Sequence, residues 1–189
     1  MVEIEYHNFI EGKRIYLREV RPEDVNENYY HWMNDDDVTR YTESRFYPYS
    51  KEQLRNYVTA LDGRKDSVFL AIIEKSSQQH IGNIKLGNIN WIHRRADIGI
   101  IIGDKQCWGK GYGSEAICLL SDYAFQKLNL YKVWAGIYID NSASIKAFEK
   151  AGFEREGVQK RHVYYAGKYV DVVLMGKFCE TSDSGRKLK

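Results

Sequence analysis

One glycine-rich turn constrains this chain more than any other segment: Gln106-Cys107-Trp108-Gly109-Lys110-Gly111-Tyr112-Gly113-Ser114. Before it, Ile98-Gly99-Ile100-Ile101-Ile102 reads as a buried strand. After it, Ala116, Ile117, Leu120, Tyr123, Ala124 and Leu128 recur at helical spacing. The chain must therefore pass from sheet to helix through a tight glycine turn, which commits it to a domain mixing both. Such a turn is also a phosphate cradle. Glycine lets backbone N–H groups converge, and the helix N-terminus adds partial positive charge.

Two familiar cradles do not fit. A P-loop needs Gly-Lys followed by Ser or Thr, but Gly111 follows Lys110, and Asp104 stands where the first glycine belongs. A dinucleotide fingerprint needs a third glycine where Ser114 stands. Its acidic residue, due roughly 20 residues later, is missing around Tyr131.

The rest of the chain fills in around this unit. Residues 14–18 alternate as a first strand. Pro22-Glu23-Asp24 predicts a helix start, with Val25, Tyr29 and Trp32 on one face, stopped by Asn34 to Asp37. Ser50 and Gln53 form a capping box for a second helix. Strands follow at 67–74, 80–88 and 97–102, then the long helix, then a strand at 131–139. Asp140-Asn141-Ser142-Ala143-Ser144 opens a short helix that Gly152 ends, and a hairpin over 158–165 and 169–178 closes the domain. The expected class is α/β or α+β with a mixed sheet. We read one domain over 10–178 and a polar tail over 179–189.

Composition narrows the function classes. A 189-residue chain with 43% hydrophobic and 29% charged residues reads as a soluble globular protein. No apolar stretch approaches a membrane span, and residues 1–8 carry no signal-peptide core. A net charge of +2 gives no argument for nucleic acid. Three cysteines without metal spacing point to a reducing, cytoplasmic setting, and no metal site is expected among the five histidines.

The Gln106-x-x-Gly109-x-Gly111 pattern resembles the acyl-CoA pyrophosphate loop of the GNAT superfamily of N-acetyltransferases. A second segment, Asn141-x-x-Ser144 followed by Phe148-Glu149-Lys150-Ala151-Gly152-Phe153, is similar to that superfamily's second CoA-contacting stretch. Together with Gly111-Tyr112-Gly113-Ser114-Glu115-Ala116 and Glu156-Gly157, they resemble the branch holding ribosomal-protein N-terminal and spermidine N-acetyltransferases. The resemblance spans about residues 10–178. It implies a single domain with a mixed, mostly antiparallel sheet flanked by helices and splayed at the acetyl-CoA-binding strand.

It also implies roles. The N–H groups of Gly109, Lys110, Gly111, Tyr112, Gly113 and Ser114 would hold the pyrophosphate of acetyl-CoA, with the Gln106 amide beside them. The pantetheine arm would pair with the edge of Ile100, Ile101 and Ile102 as an added strand does. Asn141 would reach it, and Ser144 and Phe148 would line it; Asn141 and Ser144 equally suit helix capping. Asp97, at the head of the central strand, is the candidate base, with His93 second and a plain strand-end aspartate as the alternative. Phe148 stands where many relatives carry an acidic tyrosine, so Tyr138 or Tyr164 is expected to supply the hydroxyl.

The acceptor site is expected between Trp32 and Tyr49 and around Tyr164-Tyr165, with Trp32, Glu43, Arg45 and Tyr47 as contacts. The mixed charges there leave a polyamine, a protein N-terminus and an amino sugar open, and a solvated loop equally so. Three readings compete: an acetyl-CoA-dependent N-acetyltransferase, a non-catalytic acyl-CoA binder, and a nucleotide-binding domain unrelated to CoA. A homodimer through strand edges is compatible with all three.

Overall fold

The structure, a computed structural model, describes residues 7–180. Its order is β1 (Ile10–Glu11), β2 (Ile15–Glu19), α1 (Glu27–Met33), α2 (Asp36–Thr39), α3 (Lys51–Leu61), β3 (Val68–Glu74), β4 (His80–Asn90), β5 (Arg95–Ile102), α4 (Tyr112–Gln126), β6 (Lys132–Tyr138), α5 (Ser142–Lys150), β7 (Glu154–Tyr165) and β8 (Lys168–Phe178). The eight strands form one sheet in the order β1-β2-β3-β4-β5-β6-β8-β7. Every neighbouring pair is antiparallel except β5 and β6, which run parallel. This is the mixed, mostly antiparallel sheet the resemblance implied. Of the expected tail, everything after Glu180 lies outside the described residues.

The parallel pair is the unusual one. Only Arg95, Ala96 and Asp97 find partners on β6, at Lys132, Val133 and Trp134. Beyond Asp97 the strands part. On its other side β5 stays paired with β4 through Ile102. The Gly103 N–H donates to the Ile81 carbonyl at 2.9 Å. Strand alternation therefore turns the backbone groups of Ile98, Ile100 and Ile102 toward the gap, and those of Gly99 and Ile101 toward β4.

Helices cover both faces. On one, α4 and α5 bury Ile117, Leu120, Ile145 and Phe148 against Ile84, Ile98 and Val133. On the other, Val25, Tyr29, Trp32, Leu54 and Val58 form a second cluster with Phe69. The capping box of α3 is present as predicted, with Ser50 and Gln53 each accepting from the other's backbone N–H. The first helix differs from expectation. Pro22–Asp24 is a separate 3-10 turn, and α1 starts only at Glu27 because Asn26 accepts from the Tyr29 N–H at 3.1 Å. Asp35, expected to help stop that helix, caps α2 instead by accepting from Asp37 and Val38. The last hairpin begins at Glu154, earlier than predicted.

Candidate active site

Where β5 and β6 part, a cavity of about 1040 Å³ runs through the sheet. One end reaches the glycine loop and α5. The other reaches a wall from α1, α3, β3 and β4.

The loop end is built for an anion. Gly109 and Gly111 take positive φ, +73° and +84°, which L side chains adopt only at a cost. Gly111 is the N-cap of α4 and offers no side-chain cap, so the first-turn N–H groups keep their donors. A Cβ at Gly109 would meet nothing within 4 Å, which leaves open space against that backbone. Two cations flank the turn. A Cβ at Gly111 would lie 3.3 Å from Arg14 Nη2 and 3.7 Å from Lys150 Nζ. Arg14 is fixed by donating to Glu115 at 2.9 Å and to the Lys110 carbonyl at 2.7 Å. Free N–H groups, a helix N-terminus and two cations around open space suit a pyrophosphate.

The gap continues this groove. The Ile98 carbonyl and the Ile100 backbone groups face it, whereas the Ile98 N–H closes the seam on Trp134 and the Ile102 carbonyl is taken by Trp108 Nε1 at 2.7 Å. Across the gap stands Tyr138, at the end of β6. Its hydroxyl donates to Glu43 at 3.0 Å and accepts from Arg45 Nη1 at 2.9 Å. Burial, outweighing the Arg45 contact, raises the phenol above its ordinary pKa and keeps it protonated.

The far wall is aromatic and apolar, with Tyr29, Leu54, Tyr57 and Phe69, and two polar side chains from β4, Asn83 and Lys85. Behind it lies a buried ion pair: Arg18 donates both terminal nitrogens to Asp24, at 2.8 and 2.7 Å. His80 packs edge-on to Tyr29 and Trp32, and burial holds it below the usual imidazole range, hence neutral.

Comparison with known proteins gives this architecture a family. Residues 14–154 match the family model described as the acetyltransferase (GNAT) domain. The chain belongs to the GNAT acetyltransferase family. That membership makes it an N-acetyltransferase. It is 30% identical over 168 residues to the uncharacterized N-acetyltransferase p20 of Bacillus licheniformis, covering 86% of this chain and 91% of that one. It is 33% identical over 168 residues to the probable N-acetyltransferase YjcK of Bacillus subtilis, covering 86% and 92%. Among solved structures, spermidine N-acetyltransferase from Vibrio cholerae in complex with CoA and spermine is similar at a TM-score of 0.78. That likeness has 26% identity and covers 87% of this chain and 95% of that one.

In this GNAT chain, most residues expected to hold the donor line the cavity: Ile100, Ile101, Ile102, Gly109, Gly111, Tyr112, Gly113, Ser114, Asn141, Ser144 and Phe148. Three details differ. Ile101 spends its backbone on β4 and brings only its side chain. Gln106 and Lys110 stand outside the lining; the Gln106 N–H caps back onto Asp104 at 2.9 Å. Asn141 accepts from the Ser144 N–H at 3.1 Å, so it caps α5 while lining the cavity.

The catalytic and acceptor expectations fare differently. Asp97 lies in the paired seam, before the gap opens, and accepts from Asn88 Nδ2 at 2.6 Å; it does not reach the cavity. His93 sits in an exposed turn. Tyr164 is 55% exposed and stacks on Tyr169 outside the cavity. Trp32 is buried in the second core, where α1 amphipathicity puts it, and Tyr47 is 72% exposed. Arg45 is a clasp: it donates to Thr42, Tyr138 and the Tyr164 carbonyl and stacks over Phe46, so it is not free to grip a substrate. Glu43 touches the site only through Tyr138. Cys107 is inert, since burial and the nearby Asp104 raise its thiol to about 11. Arg14, Asn83 and Lys85 were missed. The sheet and α4 bring them in from distant sequence, and no local motif marks them.

Proposed function

We propose that this protein transfers the acetyl group of acetyl-CoA directly to a primary amine, with no covalent enzyme intermediate. The observation that carries the reading is the continuity of one groove: uncapped helix N-terminus, unpaired strand edge and acceptor wall open into a single cavity. Acetyl-CoA supplies an activated thioester. The first turn of α4, with Arg14 and Lys150, would bind its pyrophosphate. The Ile98 carbonyl and the Ile100 backbone would anchor the extended arm through hydrogen bonds, and the N–H groups facing the gap would donate to the carbonyl oxygen as it gathers charge. The Tyr138 hydroxyl would give its proton to the departing sulfur and recover one through Glu43, which reaches solvent. The acceptor must arrive neutral. Among the described residues the lining holds a single carboxylate, Asp37, and it is tied to Lys105 at 2.9 Å and to Arg40. Among the described residues no free carboxylate lines the cavity, so the acceptor's proton would leave to water in the open cleft. The known spermidine acetyltransferases of this family bring a polyamine into the range of acceptors, beside peptide N-termini and amino sugars.

The test is release of CoA thiol across a panel of amines. With a competent amine, release rises with it, and kcat/KM climbs with pH toward the alkyl-amine pKa of about 10.4 without a plateau near neutrality. Tyr138→Phe lowers kcat by about tenfold to a hundredfold while acetyl-CoA affinity holds. Protein that binds acetyl-CoA but releases no thiol with any amine would be the non-catalytic binder instead.

A further inference from the structure

We propose that the acceptor wall is built for a primary amine that also carries an anionic group, a carboxylate or a phosphate ester, and disfavours a polycation. This rests on the acetyl-transfer reading above.

The case begins with Asn83. The residue is only 7% exposed and lines the cavity. Its Oδ1 lies 2.9 Å from His80 Nε2, which also lies 2.9 Å from the Gly82 carbonyl. Both neighbours of that nitrogen are acceptors, so Nε2 carries the proton and the Asn83 amide is oriented. Among the described residues its Nδ2 has no hydrogen-bond partner. A mostly buried amide that lines a cavity with its nitrogen unspent is placed to donate to acceptor oxygens of a ligand.

Lys85 makes the same request. It stands two residues along β4, on the same face. Its ammonium touches the Tyr57 hydroxyl at 3.2 Å and sits 5.5 Å from that ring, and among the described residues it has no carboxylate within 4 Å. Its register partner on β5 is Gly99, where a Cβ would meet nothing within 4 Å. Open space therefore lies between Lys85 and the gap where the acetyl group would be. Adjacent strands are about 4.8 Å apart, so an anion on Lys85 leaves an amine a few bonds away to reach the gap. Among the described residues, the one lining carboxylate, Asp37, is already paired. A polyamine brings only donors and positive charge to two side chains, Asn83 and Lys85, that offer the same. An anionic amine satisfies Asn83 and Lys85 together.

Matched pairs test this: β-alanine against β-alaninamide, glucosamine 6-phosphate against glucosamine, with spermidine as the polycation. Each is assayed for turnover with acetyl-CoA and for thermal protection of the CoA-loaded protein. The anionic member of at least one pair should win by about tenfold or more in kcat/KM or in binding, and the winning pair names the group. Lys85→Met should erase the ratio, chiefly through KM, and Lys85→Arg should restore it. Lys85→Glu should shift preference toward spermidine. A wild type that favours spermidine or the neutral member of both pairs overturns the inference, as does a ratio that survives Lys85→Met. Each variant is first shown to be protected by acetyl-CoA, which certifies a folded donor site. A wild type gaining no protection from acetyl-CoA would overturn the transfer reading and this inference together; one that is protected but prefers the neutral or cationic amines overturns only this one.

Discussion

Gly113→Glu is expected to bind acetyl-CoA at least about a hundredfold more weakly than wild type while melting at the same temperature or slightly above it. Gly113 is in the first turn of α4, and a Cβ there would meet only Ile102 and Ile100, at 3.8 and 3.9 Å, on the side facing the gap. A carboxylate at this point occupies the anion site and repels a pyrophosphate. Losing two charge-assisted hydrogen bonds of roughly 1.5–3 kcal/mol each amounts to two decades or more in affinity. The same carboxylate lies near the positive end of the helix, with Arg14 and Lys150 close by, so it stabilises the fold by about 0.3–1 kcal/mol. Gly111→Val makes the contrast. It blocks the same site, but at φ +84° it also strains the backbone by about 1–2 kcal/mol, so binding and melting temperature fall together. Titration calorimetry with acetyl-CoA and a thermal melt read both quantities. Retained affinity in Gly113→Glu would remove the helix N-terminus from the donor site.

Arg18→Met is expected to cost about 3–5 kcal/mol, lowering the melting temperature by roughly 6–20 °C in a domain of this size. Arg18 and Asp24 are 5% and 6% exposed, and the substitution leaves a buried carboxylate without its main partner. The pH dependence gives the sign. Burial pushes the Asp24 carboxyl up, but the Arg18 guanidinium and the Arg21 N–H together win and hold it below its ordinary value. A depressed carboxyl contributes stability that is fully present above its unfolded pKa of about 3.9 and is lost as pH falls through the folded value. Without Arg18, the Arg21 N–H still lowers the carboxyl but burial meets less opposition, so the carboxyl rises and protonation costs the variant less than wild type. Melts from neutral pH down to about pH 4 should therefore converge. A deficit that stays constant with pH would mean that the lost arginine mattered for its packing alone.

The sequence made the donor half of the site legible because that half is contiguous. The loop from Gly109 to Ser114 and the Asn141–Phe148 segment each lie on one turn and one helix start, where chain order is spatial order. The rest of the site is assembled across distant elements. Arg14 meets Lys110 across 96 positions, and Arg45 meets Tyr138 across 93. No periodicity carries such pairings. Asp97 was misjudged for a related reason: alternation locates a strand but not the residue at which its neighbour leaves it. Trp32 was misjudged because an aromatic on an amphipathic helix reads the same facing a core or a cleft. His80 and Asn83 sit in an ordinary strand pattern, and only the structure shows the hydrogen bond that orients the amide.

The seam between β5 and β6 is three residue pairs long. Mechanically, β1–β5 and β6–β8 are two leaves joined by this short ladder and by the core under α4, so the facing edges along the gap are the least secured part of the sheet. A ligand whose arm runs in the gap as a surrogate strand would fasten them into one. Amide exchange should register this directly. The N–H group of Ile100 should be fast in the free protein and slow sharply with acetyl-CoA, and protection should spread into β6 and β8 beyond any residue the ligand touches. Here the donor substrate would serve as part of the sheet's own architecture.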